Sequence, residues 1–181
     1  GTLKGVGKIF LQTAIDCHSR YAWARLYPSK LPVTAVHLMN NDVLPTFEAH
    51  EVKIETVLSD NGREFCGRPD QHPYELFLQL EDIAHRTTRV RRPQSNGILE
   101  RFHRTLLDEH FRVEGRRTWF ETIEEMQAVL DDYLETYNTK RPHQGRGMNG
   151  RTPIRAFTEG IPKTSNTEVT SQTKTAKLKA A

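Results

Sequence analysis

Two acidic residues separated by an arginine-rich stretch are the part of this sequence best suited to chemistry. Asp60 comes directly after the apolar run Ile54–Leu58, inside Ser59-Asp60-Asn61-Gly62. Glu100 comes after 39 intervening residues, at the opening of a helical pattern. Residues 86–104 carry Arg86, Arg89, Arg91, Arg92, Arg101 and Arg104 against Glu100 alone, a local balance of +5 in a chain whose net charge is +3. Carboxylate oxygens hold hard divalent ions such as Mg²⁺, and paired ions support in-line displacement at phosphorus. Clustered arginines attract a phosphate backbone by releasing its condensed counterions. A solvated loop is the plain alternative for the arginines. Their adjacency to the two carboxylates instead points to metal-dependent chemistry on DNA or RNA, a polynucleotidyl transferase core.

These residues need a frame that brings them together. Lys8–Ile15 and Tyr21–Leu26 are rich in β-formers and joined by a short link, which predicts an antiparallel pair. Asp16, Ser19 and Arg20 in that link read as turn and salt-bridge residues, not as catalytic ones. Val36, Met39, Val43 and Phe47 recur at helical spacing, with Pro45 predicting a kink or an end near Leu44. Ile54–Leu58 is a short strand, Tyr74–Leu80 a helix and 83–88 an edge strand. Strands alternating with helices imply an α/β sheet with parallel pairing after the opening hairpin.

After Pro93, Ser95 or Asn96 can cap a helix running to about Phe111, its apolar stripe made of Ile98, Phe102 and Leu106. Glu100 lies off that stripe, and an exposed pair with Arg104 is its plain alternative role. Thr122-Ile123-Glu124-Glu125 is a capping box opening a second amphipathic helix through Tyr137. Pro142, Gly145, Gly147 and Gly150 mark an irregular segment. From Lys163 onward the chain lacks aromatics and is rich in Thr, Ser and Lys, which predicts a disordered basic tail over 161–181 behind a single core over 1–160.

Four motifs, in order over residues 8–157, carry a resemblance to a known family. They are Asp16-x-x-Ser19-Arg20, Ser59-Asp60-Asn61-Gly62-Arg63-Glu64-Phe65, the run Arg92 to Leu106, and Tyr137-Asn138-x-x-Arg141-Pro142-His143 with Thr152-Pro153. The pattern resembles the catalytic core of DDE transposases of bacterial insertion sequences, in the retroviral-integrase superfamily. The resemblance implies a ribonuclease-H-like α/β fold, a mixed sheet flanked by helices. It also implies three metal-binding carboxylates, with Asp60 and Glu100 matching the second and third. The first is expected on a strand upstream of Gly1, so the opening, central strand is expected to be missing, and Gly1 reads as an internal position of a longer protein.

The same resemblance implies Mg²⁺ or Mn²⁺ as cofactor, element ends and target DNA as partners, a homo-oligomer on DNA, no membrane, and a bacterial cytoplasmic, nucleoid-associated location. Asn61 and Gly62 are expected to aim Asp60, Gly62 by tolerating a positive φ. Arg89, Arg91, Arg92 and Asn96 are expected to hold phosphates. Arg101 and Arg104 extend that surface or pair with Glu100 or Asp108. His103, Arg141 and His143 read equally well as DNA contacts and as packing residues. A non-catalytic DNA-binding or assembly remnant, and a nuclease that only hydrolyses, are the competing readings.

The totals agree with a globular chain. Of the 181 residues, 36 % are hydrophobic and 27 % charged, and no apolar run has membrane-spanning length. Cys17 and Cys66 have neither the spacing of a zinc motif nor a disulfide framework, as expected in a reducing compartment.

Overall fold

The computed structural model describes residues 1–88, 96–161 and 175–180. A small hairpin, β1 (Thr2–Leu3) and β2 (Gly7–Lys8), leads into β3 (Phe10–Asp16) and β4 (Ala22–Tyr27). The latter two pair antiparallel, with Phe10 opposite Tyr27 and Ile15 opposite Ala22. Their link closes on Asp16, whose carboxylate accepts hydrogen bonds from the backbone and hydroxyl of Ser19. Asp16 therefore holds a turn, as its sequence context predicts. Arg20 completes that turn with φ of 66° and its amide donating to the Asp16 carbonyl, while its guanidinium reaches the Arg146 carbonyl.

The next helical stretch is α1 (Pro32–Leu38), a π-helical turn (Met39–Val43) and α2 (Leu44–Glu48). Pro45 does not end it. The helix widens just ahead of the proline, with the Leu44 amide reaching back five residues to Met39, which absorbs the ring and the missing donor. Strand β5 (Lys53–Ser59), helix α3 (Pro73–Leu80) and strand β6 (Ala84–Thr87) follow, the latter two close to their predicted positions. Helix α4 (Gly97–Leu106) continues through a second π-turn (Leu107–Phe111) into α5 (Arg112–Arg117), six residues past its expected end. Helix α6 (Ile123–Thr139) starts on the predicted capping box at Thr122 and Glu125, and α7 (Pro153–Gly160) is capped by Thr152.

The last element departs most from expectation. Within the segment expected to be disordered, β7 (Thr175–Ala180) forms a strand. The sheet order is β4-β3-β7-β5-β6, so β7 takes the central place. It runs antiparallel to β3 and parallel to β5, with Ala180 opposite both Ala14 and Ser59. The central place, which the resemblance assigns to an opening strand, is thus taken by β7.

Helices cover both faces. Successive residues of β3 and β4 alternate between two cores. Ala14 and Trp23 face α1, α2 and α3, whereas Ile15, Ala22, Ala24 and Leu26 face α4 and α6. Strand β4 is the sheet edge, and α6 covers its backbone with amides. Asn138 donates to the Ala22 carbonyl and accepts from its amide, at 2.9 and 3.0 Å. Gln127 does the same for the Ala24 carbonyl and the Leu26 amide. Eleven residues apart, the two amides lie within about 20° on the helix at 100° per residue.

His143 is 8 % exposed, with its ring 4.7 Å from that of Tyr137. Burial and the Arg141 charge push its pKa down to about 4, while an unfolded histidine titrates near 6.5. The unfolded chain therefore binds a proton that the folded chain refuses. Stability is expected to be full above about pH 6.5, to fall as the pH drops toward 4 and to level off below. His110, also lowered by burial, acts in the same direction. Urea midpoints at pH 7.5 and 5 should differ, and less so in His143→Gln; equal midpoints in the unaltered protein would contradict this.

Candidate active site and phosphate-facing cleft

Asp60 leaves the carboxyl end of β5 in a tightly tied loop. Its Oδ1 accepts from the Gly62 amide at 2.7 Å, an Asx turn. Asn61 donates to the Thr88 carbonyl at 3.0 Å, tying the loop to the end of β6. Glu64, 3 % exposed, sits beneath and pairs with Lys30 at 2.6 Å. Gly62 does not adopt a positive φ as expected. It is needed for close approach instead: an added Cβ would lie 2.7 Å from the Glu64 carboxylate and 2.8 Å from Asp60 Oδ1. Gly62→Ala is expected to leave the fold intact but displace Asp60, and misplacement of that kind costs roughly 10²-fold in rate. Unchanged activity with an unchanged melting temperature would refute this role.

Glu100 projects from the first turn of α4 and is exposed. The helix is anchored by Leu99, Phe102 and Leu106, all at most 2 % exposed, with Ile98 at the margin of the core. The stripe is thus rotated toward Leu99 relative to the expected one. Glu100 and His103 lie about 60° apart at 100° per residue, on one face. His103 Nε2 is 2.6 Å from Thr13 Oγ1 of β3. Burial lowers the His103 pKa, while Asp60 and Glu100 both act to raise it.

Both carboxylates are near enough to act on the charge of this one imidazole. The fold thus brings together residues from β3, β5 and α4 that lie far apart in sequence. The exposed alternative is not formed: among the described residues Glu100 makes no ion pair with Arg104, and Asp108 pairs with Arg112 instead. Two carboxylates with hard oxygen donors fit part of a Mg²⁺ or Mn²⁺ site. Among the described residues, no third metal-type donor gathers with them.

Arg89, Arg91 and Arg92 lie outside the described residues. Asn96 takes the N-cap position of α4 without a capping hydrogen bond from its side chain, and its Oδ1 is buried without a partner among the described residues. Arg101 and Arg104 are exposed. Arg101 lines a cleft of about 690 Å³ between α4, the end of α6 and the 141–148 loop. Arg20, Arg141, Arg146 and Lys179 line it too, with no acidic side chain.

Arg141 is committed to structure: it donates twice to Glu109, at 2.5 and 3.0 Å, and lies over the Tyr137 ring. Arg20 and Arg146 were not candidates from sequence. The sequence places Arg20 among turn and salt-bridge residues, and one of its guanidinium nitrogens, Nη1, is buried without a partner among the described residues. Arg146 sits between Gly145 and Gly147 in a segment with no periodic signal.

The family described as Integrase core domain matches residues 81–153. A putative integrase of Spiroplasma virus SpV1-C74 is 28 % identical over 155 residues, which is 81 % of this chain and 41 % of that protein. An uncharacterized protein of insertion element IS136 from Agrobacterium fabrum is 31 % identical over 91 residues, 50 % of this chain and 43 % of that one. The chain therefore spans less than half the length of these relatives.

Among solved structures, the catalytic core domain of BIV integrase superposes with a TM-score of 0.60 at 27 % identity, covering 88 % of this chain and 90 % of that one. The HTLV-2 integrase catalytic core, solved with magnesium, gives 0.57 at 14 % identity, covering 81 % and 82 %. The sheet flanked by helices on both faces is the fold of those cores. The chain is thus similar to an integrase core domain over residues 81–153 and, more widely, to integrase-type proteins of insertion elements and viruses, and it has the fold of the retroviral integrase cores.

Proposed function

We propose that this chain is the catalytic part of a transposase that cleaves DNA strands and joins the freed ends to target DNA. The observation that carries the reading is that Glu100 and His103 share one face of α4, with Asp60 near enough to act on the His103 charge, on the helix whose Arg101 lines a cleft with basic but no acidic side chains among the described residues. Asp60 and Glu100 would hold Mg²⁺ or Mn²⁺, and the magnesium in the HTLV-2 core supports that choice. When bound, the metal activates a water or a 3′-hydroxyl for attack on phosphorus and stabilises the leaving oxygen.

The chain's own residues prepare that step. Gly62 fixes one oxygen of Asp60 through its amide, leaving the other for a ligand. Thr13 holds the His103 ring through its Nε2. Arg20, Arg101 and Arg146 line a path for a phosphate backbone; Arg104 on the same helix, and Arg89, Arg91, Arg92 and Asn96 just before it, would extend that path. Action as a homo-oligomer on DNA is part of the same proposal. No helix among the described residues is long and apolar enough to cross a membrane.

The competing reading is a DNA-binding remnant without chemistry. Incubating the full-length protein with element-end DNA, Mg²⁺ and target duplex separates the readings. Joined products support the transposase. Hydrolysis without joining, when a 3′-hydroxyl is supplied, indicates a nuclease. Salt-sensitive binding with neither product indicates the remnant.

A further inference from the structure

A second group of metal-type donors lies behind the loop that carries Asp60. Cys66 ends that loop, Glu75 lies in the first turn of α3 and His85 lies on β6. A thiol sulfur, a carboxylate oxygen and an imidazole nitrogen from these three residues all fall within 4.8 Å of one another. All three residues are half-buried. We propose that Cys66, Glu75 and His85 form a binding site for a borderline-soft divalent ion of the Zn²⁺ class, separate from the all-oxygen site of Asp60 and Glu100.

The donor chemistry selects the ion. Thiolate and imidazole suit Zn²⁺ or Co²⁺, whereas Mg²⁺ prefers oxygen. Tetrahedral coordination at roughly 2.0–2.3 Å puts ligand atoms about 3.3–3.8 Å apart, so small side-chain adjustments suffice. The surroundings are already those of a ligand histidine. His85 Nε2 lies 2.8 Å from Ser59 Oγ, while Ser59 itself donates to the Asp60 carbonyl. That arrangement assigns the Nε2 proton to the Ser59 contact and leaves Nδ1 facing Glu75 at 2.9 Å. A hydrogen bond on the far nitrogen is what orients metal-binding imidazoles.

The Tyr74 phenol adds a separate observation. It is fully buried and hydrogen-bonded to nothing among the described residues. Its ring lies edge-on to that of His85, with centroids 5.6 Å apart, and burial, then Glu75 and Cys66, push its pKa up. An unmet donor beside three converging ligands fits a site that takes a further group, with water as the fourth ligand.

The proton balance is simple. Burial raises the Cys66 thiol pKa, so without metal the sulfur keeps its proton and donates to the Asp60 carbonyl at 3.4 Å. Metal binding releases that proton and any proton shared by His85 and Glu75. One thiolate and one carboxylate then neutralise the dication. The bound ion pins residue 66 to α3 and β6, and so clamps the loop that aims Asp60.

The test uses the 181-residue chain after chelation, titrated with Co²⁺. One equivalent should give a near-ultraviolet thiolate-to-cobalt band that Zn²⁺ bleaches and excess Mg²⁺ leaves alone, with protons released into weak buffer. Cys66→Ser should lose the band and Cys17→Ser keep it. His85→Gln should weaken affinity by tenfold or more, which keeps the test informative if Cys66→Ser fails to fold. No band, a band lost in Cys17→Ser, or His85→Gln binding like the unaltered chain would overturn the proposal.

Discussion

Glu100→Gln in the full-length protein is expected to lower strand cleavage and joining by at least about 10²–10³-fold, the scale for losing one preorganised charge from a reacting centre. Glutamine keeps the shape and the helix but removes the anionic oxygens a hard ion needs. Because Glu100 is exposed and makes no ion pair among the described residues, the substitution has little to disturb in the fold. Melting temperature and DNA affinity should therefore stay nearly unchanged, since the basic cleft is intact. Gel assays of cleavage and joining, run beside a binding titration at fixed salt, check both halves. Retained activity would remove Glu100 from the site; lost binding would mean it serves the interface instead.

Asn138→Ala carries the largest expected stability loss. Asn138 is 4 % exposed and its amide satisfies both backbone groups of Ala22, itself 1 % exposed. Truncation strands a buried N–H and a buried C=O, each worth about 1–3 kcal/mol when unmet. A loss of roughly 2–5 kcal/mol follows, and melting should drop by roughly 5–15 °C at 2–4 °C per kcal/mol for a chain of this size. The freed edge of β4 also becomes a template for pairing with another chain. Calorimetry and light scattering should show lower melting together with concentration-dependent association. A melting temperature within 2 °C of the unaltered protein would contradict the role.

Much of this was legible because the signals are local. The β-rich runs, the Thr122 capping box and the Asp-Asn-Gly turn specify their own backbone, so β3, β4, β5 and α6 could be read directly. Asp60 and Glu100 stood out because each opens or closes an element beside an unusual charge run. What could not be read depends on pairing across the fold. Gly62 looks like a turn glycine, and only the packed loop shows that Asp60 and Glu64 crowd it. Arg146 carries no periodic signal, and its place in the cleft follows from the return of the 141–148 loop toward α4. Cys66, Glu75 and His85 have no motif spacing, because β-strand pairing and α3 packing bring them together. Pro45 misled in the other direction, since a π-turn accommodates a proline that a regular helix would reject.

The central position of β7 has a consequence for how the protein is made. Strands β3 and β5 do not pair with each other; each pairs with β7. During synthesis the two halves of the sheet must therefore wait, apart, until residues 175–180 leave the ribosome. Contacts that close loops this long form slowly, and unpaired inner edges are exposed to association meanwhile. A chain stalled before residue 175 would hold all of its helices and both identified carboxylates, yet have a sheet in two pieces.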